Sequence, residues 1–379
     1  MKKPISELEA QDHSGHRFSG IDALLISYLA DAKTFAMSRR EYDQVHRTFN
    51  SIRRMFKTNN IAEYVSFVKN TEAVLFNQMQ NPHVVYMGIS CPLPDRGALL
   101  AFLRSGVKMF WKSAIPPLAD RATTVTDALS RLRTTREFDR GMCELMKPIV
   151  AQLLGPVPTL SELRPKHGPG AVATGEKGLH KWNFSRRYLG MHRIYGDALF
   201  YYNAIHESLH PYKLRNLKHP TTKIVCVPKD LRNFRVISCE PLEMQFGQQA
   251  MCEFLMERLQ NTSFGRIQFS SQSYHTSKLT THPFTRSTLD LSNASDNVSA
   301  ALVRSVLPPE WWVLLSALRS HRAQDGADLS PLHAFAPMGS ALCFPIESLI
   351  HYAACAAHGV KALSVYGDDI VCHSHSVSD

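Results

Sequence analysis

Leu363-Ser364-Val365-Tyr366-Gly367-Asp368-Asp369-Ile370-Val371-Cys372 sets two adjacent carboxylates between two short β-prone runs. Gly followed by Asp between such runs signals a hairpin with those two residues at its tip, because a tight turn needs a residue that accepts positive φ. A hairpin tip of this composition is common. Adjacent carboxylates, however, repel unless a divalent cation or a basic partner offsets them. A second acidic segment lies upstream, Thr288-Leu289-Asp290-Leu291-Ser292-Asn293-Ala294-Ser295-Asp296. Its first residues read as a short strand with Asp290 near the end. From Val298, apolar residues recur at Ala301, Leu302 and Val306, predicting a helix that stops at Pro308-Pro309. Asp296 stands just before that helix, where an N-cap is its ordinary role. Between the acidic segments, Ala336-Pro337-Met338-Gly339-Ser340-Ala341 forms a small-residue loop. It leads into a helix expected from about Pro345, with Ile346, Leu349, Ile350, Ala353 and Ala357 on one face and Gly359 as its stop.

Asp290 and Asp368 are far enough apart in sequence for strands joined through helices to bring both to one sheet edge. Nucleotidyl transfer uses two divalent ions about 4 Å apart, one activating a 3′-hydroxyl and one steadying the leaving pyrophosphate. Carboxylates from two strands supply hard oxygen ligands for such ions, and substrate phosphates and water complete the coordination.

Working outward, the chain of 379 residues carries a formal net charge of +10. Fourteen Lys and Arg stand against four acids between Arg164 and Arg235, whereas residues 236–379 are net −5. A basic middle beside an acidic C-terminal third suggests phosphate binding next to cation binding. Trp182, Phe184, Tyr188, Tyr201, Tyr202 and Tyr212 are interleaved with these cations, a mixture that suits a nucleic-acid backbone and stacked bases. A merely solvated basic surface has the same composition. The first 155 residues show three-to-four apolar spacing over Glu41–Lys57, Ile61–Met79, Leu99–Lys112 and Thr124–Leu154, and residues 244–260 read as another helix. Short β-like runs appear at Lys223–Val227 and Arg235–Ile237. The expected class is α+β, helices first and a mixed catalytic part second. Eight scattered cysteines form no Cys-x-x-Cys pair, and no signal core or apolar span interrupts the chain, so a soluble cytosolic protein is expected.

The succession Asp290-x5-Asp296, Met338-Gly339 with its helix, and Tyr366-Gly367-Asp368-Asp369 resembles palm motifs A, B and C of viral RNA-directed RNA polymerases. More narrowly, Leu289–Ser299, Leu307-Pro308-Pro309-Glu310, Phe344–Ile350 and Val365–Ile370 are similar to the replicase catalytic subunit of single-stranded RNA bacteriophages. Val227-Pro228-Lys229-Asp230-Leu231-Arg232-Asn233-Phe234-Arg235, followed by Glu240-Pro241, resembles that family's basic fingers motif. The likeness covers about residues 222–372. It implies a right-hand polymerase with a helical N-terminal region at 1–160, basic fingers at 161–270 and an antiparallel-sheet palm at 271–379. It implies RNA synthesis on an RNA template, with NTPs as substrates and two Mg²⁺ ions, or Mn²⁺, as cofactor. Asp290 and Asp368 would ligate the ions, with Asp369 beside them as a weaker ligand. Asp296 would sit near the incoming ribose, and Lys229, Arg232 and Arg235 would contact triphosphate oxygens. The family usually has Asn after Met-Gly, where this chain has Ser340, a shorter hydrogen-bonding group for ribose recognition. Host elongation factors Tu and Ts are implied partners, in the cytoplasm of a bacterial host and away from membranes. Family members continue through a further palm segment and a thumb, so a C-terminally truncated chain without a thumb is expected. A reverse transcriptase, a non-catalytic RNA-binding remnant and a metal-dependent nuclease are the competing readings.

Overall fold

The computed structural model describes residues 9–11, 17–19, 28–29, 39–58, 60–80, 105–108, 118–134, 137–196, 214–272, 277 and 285–377. The chain divides into two compact units, Met1–Thr124 with Val227–Arg235, and Val125–Cys226 with Val236–Asp379.

In the first unit, strands β1 (Glu9–Gln11) and β2 (Arg17–Ser19) pair antiparallel. Helices α1 (Arg39–Lys57) and α2 (Ile61–Gln80) pack together, as their periodicity predicts. Val45, Phe49, Ile52 and Phe56 recur at helical spacing and are buried, as are Tyr64, Val65 and Val68 of α2. Asn60 starts α2: its Oδ1 accepts from the Glu63 amide at 3.2 Å while its Nδ2 donates to Glu63 Oε2 at 2.7 Å. The first bond satisfies one of the amides that a helix start leaves open, and the second ties the two side chains together. Most of the helix expected over Leu99–Lys112 lies outside the described residues; residues 105–107 are helical.

Helix α3 (Arg121–Arg133) begins in the first unit and continues into the second. The expected continuous helix over Thr124–Leu154 is in fact two, α3 and α4 (Arg140–Leu154). Asp139 makes the break: its Oδ1 accepts from the Gly141 and Met142 amides at 2.7 and 3.3 Å, capping α4 afresh. Apolar periodicity survives on both sides, which is why spacing alone misses the interruption.

The second unit also holds α5 (Leu189–Tyr195), α6 (Leu242–Thr262), α7 (Ala294–Asn297), α8 (Ala300–Val306), α9 (Pro309–Ala317) and α10 (Cys343–Ala357). Its core is built where α4, α6, α8 and α10 meet, with Met146, Val150, Phe246, Leu255, Val303 and Leu349 almost wholly excluded from water. Each such side chain contributes roughly 1.5–3 kcal/mol of burial free energy. The helix expected to stop at Pro308-Pro309 does stop there, and a new one starts at once. Proline at a first helical position costs nothing, because its missing amide would be unpaired anyway.

Strands β3 (Arg186–Tyr188) and β4 (Arg215–Leu217) form a parallel pair. A four-stranded sheet joins β5 (Thr221–Pro228), β6 (Phe234–Cys239), β8 (Arg322–Asp325) and β9 (Asp328–Pro331) in the order β6-β5-β8-β9. A three-stranded antiparallel sheet joins β7 (Arg286–Asp290), β10 (Ser364–Tyr366) and β11 (Asp369–His373) in the order β10-β11-β7. Its outer strand β10 is covered by the bridge of Ile267 to Val365. The fold is α+β, as expected.

Candidate active site

The hairpin at the acidic tip is as the sequence predicts. Tyr366 faces Asp369 across β10 and β11, leaving Gly367 and Asp368 as a two-residue loop. Gly367 has φ +65° and Asp368 is not among the residues at positive φ, the pattern of a turn that requires Gly first. Strand β7 then lies antiparallel to β11 with Asp290 directly opposite Asp369 and Leu289 opposite Ile370. Opposed residues on antiparallel strands project from the same sheet face with Cβ atoms about 4.5–5.5 Å apart. The register therefore brings Asp290, the last residue of its strand, to Asp369 and to the neighbouring Asp368.

Asp290 is exposed, and Asp368 and Asp369 are half-buried. Among the described residues, no Lys or Arg pairs with any of the three. Burial, reinforced by the charges of Asp369 and Asp290, raises the Asp368 carboxyl above its ordinary value. Gln272 donates to Asp369 Oδ2 at 2.8 Å, which orients that carboxylate without neutralising it. Helix α10 adds Glu347, 7% exposed, whose carboxyl is pushed up to about 7 by burial and then by the charges of Asp368 and Asp296.

Asp296 is not a helix cap, and that expectation is corrected. It sits within the short helix α7, while Ser299 caps α8 by accepting from the Leu302 amide at 3.1 Å. Asp296 instead meets Arg131 of α3, with Nε 3.2 Å from Oδ2. Three residues further along, Ser299 has the flexible hydroxyl and extended backbone a cap needs.

The loop ahead of α10 is pressed against β6. Gly339 has φ +115°, and a Cβ there would stand 2.4 Å from the Ser238 carbonyl oxygen, so the position admits only glycine. Ser340 is buried. Its hydroxyl donates to Gln248 Oε1 at 3.1 Å, and the same oxygen accepts from the Ala341 amide at 3.1 Å. Lys229, Arg232 and Arg235 belong to the first unit, on the turn Val227–Arg235. Asp230 Oδ1 shapes that turn by accepting from the Arg232 and Asn233 amides at 2.8 and 2.9 Å.

Sequence reasoning assigned no role to Glu347, Arg131 or Gln272. An acid within the apolar run of α10 was the available signal for Glu347. Nothing local marks Arg131, 165 residues from its partner. Among the described residues no three His, Cys, Asp or Glu side chains converge as a self-sufficient metal cage. The donor set still fits magnesium, which keeps several waters and is commonly held by one or two carboxylates together with substrate phosphates. No described helix is long and apolar enough to cross a membrane.

Fold and site together define an α+β protein with three carboxylates gathered at one sheet edge. The chain belongs to the RNA replicase, beta-chain family, whose sequence profile matches residues 143–379. It is 29% identical over 242 residues to the RNA-directed RNA polymerase subunit beta of Escherichia virus Qbeta, covering 60% of this chain and 40% of that protein. To the subunit of the same name from Qbeta virus (strain MX1) it is 34% identical over 170 residues, 42% and 28% of the respective chains. These alignments thus span between 28% and 40% of the relatives' length. The crystal structure of the RNA-dependent RNA polymerase of a human picorbirnavirus aligns with 82% of this chain and 63% of that one, at 10% identity and a TM-score of 0.42.

Proposed function

We propose that this chain carries the catalytic centre of an RNA-directed RNA polymerase, transferring ribonucleoside monophosphates from NTPs to an RNA 3′-hydroxyl during viral genome replication. The observation that carries this reading is the register that sets Asp290 opposite Asp369, with Asp368 in the adjoining turn and, among the described residues, no Lys or Arg paired with them. Asp290 and Asp368 hold the metal pair, and Asp369, oriented by Gln272, supports them. Mg²⁺ held there, or Mn²⁺ in its place, would supply activation of the attacking hydroxyl and stabilisation of the pyrophosphate leaving group. Asp296, held by Arg131, faces the ribose of the incoming nucleotide. Ser340 contributes only lone pairs there, since its proton goes to Gln248. The family resemblance assigns Lys229, Arg232 and Arg235 to the triphosphate oxygens, where charge-assisted bonds both position and stabilise.

The working division is a helical N-terminal region over 1–160, basic fingers over 161–270 and the palm over 271–379. RNA template and product are the partners the chemistry requires. The resemblance adds host elongation factors Tu and Ts and the bacterial cytoplasm. The test is Mg²⁺-dependent primer extension on an RNA template by wild type and Asp368→Asn, with rNTPs and dNTPs in parallel. The expected result is rNTP incorporation that falls about 10³-fold or more in the variant, with RNA binding kept. Equal synthesis by both proteins removes Asp368 from the mechanism. Preference for dNTPs identifies a reverse transcriptase, and RNA binding without synthesis by either protein identifies a non-catalytic remnant.

A further inference from the structure

In an ordinary two-residue hairpin loop the amide and carbonyl of the first central residue face water. At Gly367 neither does. The residue is buried, its N–H donates to Ser348 Oγ at 3.0 Å, and its carbonyl oxygen lies 3.0 Å from His351 Nδ1. A carbonyl only accepts, so that ring nitrogen carries the proton. Ser348 is wholly buried, and its own proton goes to the Phe344 carbonyl at 2.8 Å, leaving its lone pair for the Gly367 amide. The Phe344 ring completes the grip: a Cβ on Gly367 would stand 2.2 Å from Phe344 Cε2, and the ring meets Tyr366 edge-on at 4.9 Å. Phe344, Ser348 and His351 are spaced four and three residues apart and so share one face of α10.

We propose that Ser348 and His351 are positioning residues that clamp the Gly367–Asp368 turn through both backbone polar groups of Gly367. They fix where the Asp368 carboxylate presents itself to metal. Strand pairing alone leaves the tip of a two-residue loop free to rock, because its central residues make no ladder bond. Here the tip is tied to the helix that follows the Pro337–Ala341 loop, and Gln248 pins the start of that helix through Ser340 and Ala341. The nucleotide-facing loop and the metal-ligand turn are thereby two ends of one rigid element. This inference rests on the proposed role of Asp368. It adds that α10, as well as the sheet, sets the metal affinity.

Two readouts on the purified chain test it. The first is hydrogen exchange of backbone amides without metal. The Gly367 amide should be protected like those of β10 and β11 in wild type, and should lose that protection in Ser348→Ala while the strand amides keep theirs. The second is Mn²⁺ affinity by electron paramagnetic resonance. Ser348→Ala and His351→Leu should each weaken binding about 10-fold or more, in the range seen when groups that orient a metal ligand are removed. His351→Asn, whose amide replaces the Nδ1 donor, should bind within about threefold of wild type on the same reasoning. If Ser348→Ala does not fold, the His351 pair carries the comparison. An unprotected Gly367 amide in wild type overturns the clamp. Unchanged Mn²⁺ affinity after loss of either clamping group overturns the positioning role. Failure of wild type to bind Mn²⁺ contradicts the function proposed above and leaves the exchange result to decide the clamp.

Discussion

Glu240 and Asp368 are both carboxylic acids of the second unit that burial pushes above the ordinary carboxylate range, and the protein surrounds them in opposite ways. Glu240 is 2% exposed and accepts from Ser320 Oγ, and the nearby Arg319 guanidinium offsets part of its burial. Arg319 in turn donates to the carbonyls of Phe335, Leu332 and Ala334 at 3.0, 2.9 and 2.7 Å, so each charge is met inside the protein. At the other centre the charges of two more carboxylates, Asp369 and Asp290, add to burial, and His351 offsets them only in part. The first arrangement is complete without a ligand and fixes the chain segments around it. The second, in the function proposed above, is completed by a bound cation. A site is legible where folding leaves like charges facing one another.

The widest separation between the two centres is expected in catalysis. Asp368→Asn lowers RNA synthesis about 10³-fold or more, whereas Glu240→Gln changes it less than tenfold, measured by steady-state incorporation of rNTPs. In metal-free urea unfolding Asp368→Asn should instead be neutral or stabilising by less than about 1 kcal/mol, since it relieves repulsion at a partly solvated site. A strongly destabilised Asp368→Asn would mean that its charge is already compensated.

Next in size is the cost of breaking the completed centre. Arg319→Met leaves three buried carbonyls without a donor and removes the charge that offsets part of the burial of Glu240, and should cost about 3–5 kcal/mol in the same unfolding measurement. Loss of less than about 1 kcal/mol would show that the network is ornamental to stability.

A smaller effect is expected from pH. Glu347 has its folded carboxyl at about 7 against an ordinary 4.5, so the folded state holds a proton that the unfolded chain releases. Stability therefore falls as pH rises between those values, and the penalty is absent below and complete above. It amounts to at most about 3 kcal/mol. Metal-free unfolding at pH 5 and pH 8 should show this loss in wild type and not in Glu347→Gln. Identical pH slopes for the two proteins would remove the assignment.

The smallest effect belongs to Arg131, whose pair with Asp296 is 30% and 17% exposed on its two sides. Arg131→Gln should cost less than about 1 kcal/mol of stability. Its sharper signature is an altered ratio of rNTP to dNTP incorporation, and an unchanged ratio would detach the pair from ribose selection.

The Gly367-Asp368 turn, the strand ending at Asp290 and helices α6 and α10 were all readable, because each is dictated by neighbours within a few residues. The register between β7 and β11 was readable only as a possibility opened by the spacing of the acids. What the chain did not disclose locally was made by distant partners. The Asp139 cap splits a helix whose apolar spacing continues unbroken, and Ser299 displaces Asp296 as the cap because Arg131 draws the carboxylate elsewhere. Gln248 and Ser340 meet across 92 residues of sequence. Local pattern reports turns and faces, whereas the partner of a polar group is settled by packing.

The central claim is that Asp290, at a strand end, and Asp368, in the turn of the neighbouring hairpin, serve one cation site. Mn²⁺ titration of the wild-type chain with bound NTP, followed by electron paramagnetic resonance, tests this against Asp290→Asn and Asp368→Asn. Both variants are expected to weaken Mn²⁺ binding by at least about 10-fold, with their folds intact by circular dichroism. Undiminished Mn²⁺ affinity in Asp290→Asn would contradict the claim that the strand register builds the site.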